Sequence, residues 1–118
     1  MEVALSQDSS YLALVSTDKK LAHFEDLLSH FLRNVFFVNR ADLTPRVEFS
    51  LLQDPDAGME RPMVEIILPL EQRSSRLGLQ HEFVVEFKEF LARNTENSDD
   101  FLEMRELQRH FMIIFSIE

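Results

Sequence analysis

Cysteine is absent from the 118 residues, which excludes disulfides, thiolate metal centres and thiol chemistry. Glycine occurs only twice, too seldom to build a phosphate-cradling loop, and no P-loop or G-x-G-x-x-G spacing is present. G-x-S-x-G and H-E-x-x-H are missing too. Tryptophan is lacking and tyrosine occurs once. No stretch approaches the roughly 20 apolar residues of a membrane-spanning helix. The apolar run at residues 111–115 is of strand length. The first eight residues lack the basic start and apolar run of a secretion signal, so a cytoplasmic location without membrane attachment is expected.

Positive charge is also scarce. Twelve basic residues face 21 acidic ones, a net charge of −9. Phosphate contacts supply most nucleic-acid affinity, and a chain of this balance repels them, so nucleic acid is not an expected partner. A basic protein surface is a better match.

The chain does have phenylalanine, 11 residues of it, within a composition that is 45% hydrophobic and 28% charged. Those proportions fit a soluble globular protein, and the length fits one domain over 1–118. Large rings bring much apolar area per residue, so the core is expected to be built on phenylalanine.

Periodicity divides the chain into elements. Residues 11–16, Tyr-Leu-Ala-Leu-Val-Ser, read as a strand apolar on both faces or as the start of a helix, with strand preferred. Thr17 is a plausible N-cap for a helix over 18–35. Its apolar stripe is Leu21, Phe24, Leu28, Phe31, Leu32 and Val35, widened by Leu27, and Glu25 and Asp26 are assigned to the opposite, solvated side. Residues 36–38 are three consecutive apolar positions, expected in the core. Residues 47–52 and 63–68 alternate as two strands of a hairpin. A pairing of Val47 with Leu68, Phe49 with Ile66 and Leu51 with Val64 gathers the apolar residues on one face and leaves Glu48, Ser50 and Glu65 on the other. The intervening loop of about ten residues is long for a hairpin. A helix is expected over 81–93 with Phe83, Val84, Phe87, Phe90 and Leu91 as its stripe, then a short helix over 99–108 capped by Ser98. A terminal strand from Phe111 follows.

The order β-α-β-β-α-(short α)-β is that of the split βαβ, or ferredoxin-like, arrangement. With 11–16 helical it becomes α-β-β-α-α-β. Either way the expected fold is α+β: a two-layer sandwich of one antiparallel sheet with two main helices on one face.

Candidate chemistry is thin. His23, Asp26 and His30 fall along one helix, but the two imidazoles are about 10 Å apart along the axis, too far for one ion. A solvated helix face accounts for them, and no metal or cofactor is expected. Ser74 and Ser75 read as a helix cap. His81 and His110 have no partner at fixed spacing, and no catalytic residues are assigned. The terminal strand is apolar on both faces and falls at a sheet edge, where exposed apolar strands invite pairing. The expected role is therefore a non-enzymatic interaction or oligomerisation module, with Phe111, Ile113, Phe115 and Ile117 as the candidate interface and a second copy or another protein as partner. The alternative is a small-molecule sensor or minor enzyme with a helix–sheet pocket near His81, Arg76 or His23.

Overall fold

The computed structural model describes residues 4–38, 40, 43, 45–54, 59–69, 76–95 and 97–117. In chain order the elements are β1 (Ala4–Gln7), α1 (Ser9–Thr17), α2 (Lys19–Phe31) running into a π-helical turn (Leu32–Phe36), β2 (Arg46–Asp54), β3 (Met59–Leu68), α3 (Arg76–Asn94), α4 (Ser98–His110) and β4 (Met112–Ile117). The fold is α+β, and among the described residues the strands form one sheet of order β1-β2-β3-β4. The sheet is mixed rather than antiparallel as expected: β1 runs parallel to β2, β2 antiparallel to β3, and β3 parallel to β4. The ferredoxin-like strand order is likewise replaced by this sequential one. Two βαβ units of two helices each are joined by the central hairpin.

Local chemistry sets the helix boundaries. Residues 11–16 are helical, because Asp8 accepts the Ser10 N–H at 2.8 Å and opens α1 ahead of them. Asp18, rather than Thr17, caps α2, its carboxylate accepting from the N–H groups of Lys20 and Leu21 at 3.0 and 3.2 Å. Asn97, rather than Ser98, caps α4 through the Asp100 N–H at 2.8 Å. Helix α3 begins five residues earlier than expected and runs through Gly78. Within it, Val84 is 49% exposed and lies outside the buried stripe of Leu79, Phe83, Phe87, Phe90 and Leu91.

The π-helical turn solves a problem of phase. In an α-helix Phe36 would lie well round the cylinder from Phe31. Wider i→i+5 closure, seen in the Phe37 N–H donating to the Leu32 carbonyl at 3.2 Å, brings the two rings to 5.7 Å between centroids. Phe36 and Phe37 are thereby buried, as expected for the core, while Val38 stays exposed.

The hairpin pairs Val47 with Ile66, Phe49 with Val64 and Leu51 with Pro62, two residues away from the expected register. The facing is unchanged, because a slip of two preserves the alternation. Strands β2 and β3 run on to Asp54 and Met59, leaving only residues 55–58 between them. The ten-residue loop shrinks accordingly, and its central residues lie outside the described ones. Pro62 lies just before the stretch of β3 that pairs with β4, where β3 has a neighbour on one side alone.

One face of the sheet carries the core. Tyr11 of α1 meets Phe49 at 5.3 Å, and Phe36 and Phe83 meet Phe115 at 6.3 and 5.7 Å. Phe49 and Phe115 share a face through the 49–64 and 66–115 pairings. Phe31 stands at the centre of the aromatic cluster, within 5.7 Å of Phe36, Phe83, Phe87 and Phe90. A topological consequence follows. The steps β1→β2 and β3→β4 go the same way across the sheet along opposite strand directions, yet their helices meet the same face. The two crossovers therefore have opposite hands, and one runs against the right-handed preference.

Candidate functional site

The polar cluster between β1 and α2 is the most unusual feature of the interior. Glu25 is the one charged side chain among the buried residues described, at 8% exposure. It accepts a hydrogen bond from the Gln7 amide of β1. Burial, more than any neighbour, pushes its carboxyl pKa up, and Asp26 adds to this, while the Gln7 and Tyr11 side chains favour the ionised form. Tyr11 lies beside it and is fully buried. Burial first, and the nearby Glu25 charge second, push the phenol well above its ordinary value.

Beside it is a cleft of about 320 Å³. One wall is the sheet edge, with Leu5, Ser6 and Gln7 of β1 and Phe49 of β2. The other is a stripe of Glu25, Ser29 and Arg33 at four-residue spacing, with Asp26 alongside. A second, apolar groove of about 530 Å³ lies outside α3 and α4, between Val84, Val85, Ala92 and Phe101, with Lys88, Glu89 and Arg105 at its rim.

Glu25 was expected on the solvated side of its helix. The signal that places it inside is its spacing, one residue after Phe24 and four after Leu21, which puts it on the flank of the apolar stripe. Nothing in the sequence marks Gln7 or Tyr11 as its neighbours. The three meet only through the β1–β2 pairing and the turn into α1.

His23, Asp26 and His30, weighed above as ligands and set aside, do not converge. His23, Asp26 and His30 are exposed on α2. The His30 ring stacks on Phe90 at 6.0 Å, and the Asn34 amide nitrogen is 3.1 Å from its Nδ1. Among the described residues no three His, Asp or Glu side chains approach a common point. His81 is exposed on α3, and Arg76 is half-buried at its start. His110 ends α4, where its carbonyl accepts a long bond from Arg61 Nε at 3.4 Å. None of these three lines the β1–α2 cleft. Ser74 and Ser75 lie outside the described residues.

The candidate interface residues divide by role. Phe111 and Phe115 are buried, while Ile113 and Ile117 are half-buried and pack on the same core. Their side chains are committed to the helix-facing side. The opposite face of β4 presents Met112, Ile114 and Ser116, all half-buried, and Ser116 donates to Glu65 of β3 at 2.7 Å. Strand β4 does lie at the end of the sheet.

No protein-family model, curated protein or solved structure matches this chain. Among the described residues no helix is long and apolar enough to cross a membrane.

Proposed function

We propose that this protein is an interaction module that works by association rather than by catalysis, and that two copies join β4 to β4 in one continuous sheet. The observation that supports this reading is the β4 edge itself. It is six residues long, five of them apolar, and lacks any charge. Among the described residues it has β3 as its single strand neighbour. An uncapped apolar edge is a template for pairing. Antiparallel self-pairing about a two-fold axis normal to the sheet keeps the helices of both copies on one side. It sets Met112 against Ser116 and Ile113 against Phe115 when centred on Ile114. No like charges meet across such a seam, even though each copy carries −9 overall.

Light scattering on a size-exclusion column tests the proposal. The wild-type chain is expected to elute as a dimer at micromolar concentration. Ile114→Lys places two ammonium groups in the seam and is expected to give a folded monomer, with folding verified by circular dichroism. A wild-type chain that stays monomeric, or an Ile114→Lys chain that stays dimeric, refutes the reading.

A further inference from the structure

The opposite edge of the sheet has a different chemistry. We propose that the groove between β1 and α2 receives an extended segment of another protein, carrying one lysine or arginine, as an added strand alongside β1. This inference concerns a separate site and stands whether or not β4 dimerises.

Main-chain geometry supplies the first argument. The Asp8 N–H donates to the Phe49 carbonyl at 2.8 Å. In a parallel pair both main-chain groups of a residue point to the same side, and those of the next residue point to the other. Asp8 and Ser6 are thus turned towards β2. Leu5 and Gln7 turn their N–H and C=O groups outward, away from the sheet. Among the described residues no strand lies beyond β1 to take them. Two donors and two acceptors, about 7 Å apart along the strand, are what an incoming extended chain pairs with.

Side-chain chemistry supplies the second. Leu5 and Gln7 face the helices, because they pair with buried Val47 and Phe49. An added residue in register with Gln7 faces the helices as well, and so lies beside the Glu25 carboxyl that Gln7 holds. A largely buried carboxyl with a second carboxylate next to it favours a cation there. The net charge of −9 draws the same class of partner. Arg33 limits how many basic residues fit. It lies eight residues beyond Glu25 on the same wall, about 12 Å along the axis. A second basic residue at that end of the segment is repelled, so the groove selects one basic position.

Nuclear magnetic resonance on the intact Ile114→Lys chain tests this without interference from the β4 edge. The probes are blocked hexapeptides of alternating threonine and valine with one central lysine, glutamate or alanine. The lysine peptide is expected to shift and protect the Leu5 and Gln7 amides. The glutamate peptide is expected to bind at least about tenfold more weakly, as loss of a charge-assisted contact implies. N-methylation of the lysine peptide's pairing amides should abolish binding. Glu25→Gln and the exposed Asp26→Asn are each expected to weaken the lysine peptide several-fold with no loss of fold. The proposal is overturned if the lysine peptide does not bind, if the glutamate peptide binds equally well, if protection appears only over 112–117, or if a lysine amide monomer binds as tightly as the hexapeptide. The last result would mark a small-molecule cleft instead.

Discussion

Replacing Arg40 by methionine tests how the chain following the π-helical turn is fastened to α3. The guanidinium does four things at once. Its Nη1 donates to the Phe36 carbonyl at 2.7 Å, its Nη2 reaches Glu82 at 2.8 Å and Glu86 at 2.9 Å, and its plane lies 4.2 Å from the centre of the Phe36 ring. These contacts differ in worth. Glu82 is 52% exposed and Glu86 35%, so solvent screening holds the two ion pairs together to about 0.5–1 kcal/mol. The charged bond to the carbonyl contributes about 1.5 kcal/mol. The ring contact adds about 0.5 kcal/mol. Arg40→Met should therefore cost about 2.5 kcal/mol, of which only the ion-pair share is lost in strong salt. Arg40→Lys keeps the charge but not the planar fork, and should cost more than half as much. Urea unfolding monitored by circular dichroism reads the difference. With a slope of about 2 kcal/mol per molar, the methionine midpoint falls by about 1 M. A loss under about 0.5 kcal/mol, or one that vanishes in 1 M salt, would refute the reasoning by showing that the carbonyl and ring contacts contribute nothing.

The remaining predictions concern single residues. Glu25→Gln keeps the bond from Gln7 and removes a carboxyl whose pKa folding raises. The folded chain holds that proton more tightly, so the wild type loses stability as pH rises from the ordinary carboxyl value through the raised one, and urea titrations across pH should show the glutamine variant free of that loss and more stable at neutral pH. Phe31→Ala empties the centre of the ring cluster and should cost about 3–5 kcal/mol, enough to remove most of the cooperative melting transition seen by calorimetry. Asp18→Ala removes the cap shared by the α1–α2 junction and should cost about 1 kcal/mol in urea. Gly78→Ala, at a helical position where an added Cβ meets nothing within 4 Å, should gain about 0.5 kcal/mol in the same assay.

The sequence carried the parity of the sheet but not its register. Val47, Phe49, Val64 and Ile66 alternate clearly enough to say which side faces the core. Alternation repeats every two residues, so a two-residue slip leaves no trace in it, and the turn settles the pairing. Strand β1 was missed because a four-residue edge strand offers too short a pattern to read. For residues 11–16 the sequence left strand and helix both open and strand was preferred, because the apolar residues of the helix over 9–17 show almost no sidedness and Tyr11 alone among them is fully buried. Helices α2 and α3 were legible because a strong stripe of large rings repeats at the right interval. The candidate cleft was not legible at all. Its walls come from residues 5–7, 25–33 and 49, and only the parallel pairing of β1 with β2 brings them together.

The same topology bears on both proposed edge sites. The β2–β3 hairpin is closed by a short connection, whereas Ala4 must find Arg46, and Met63 must find Met112, across separations of 42 and 49 residues. Such pairings cost more loop-closure entropy and form later. Among the described residues each terminal strand also has a strand neighbour on one side alone. β1 and β4 are therefore the strands least secured by the chain's own connectivity. The edges differ in what they offer. β4 is uncharged and apolar, which suits a copy of itself. β1 lies beside a largely buried carboxyl, which makes a second acidic copy a poor match and a single basic residue a good one. A partner at β1 would tie down the strand that holds Gln7 against Glu25, so occupation of that groove should raise the stability of the whole β1–α2 unit.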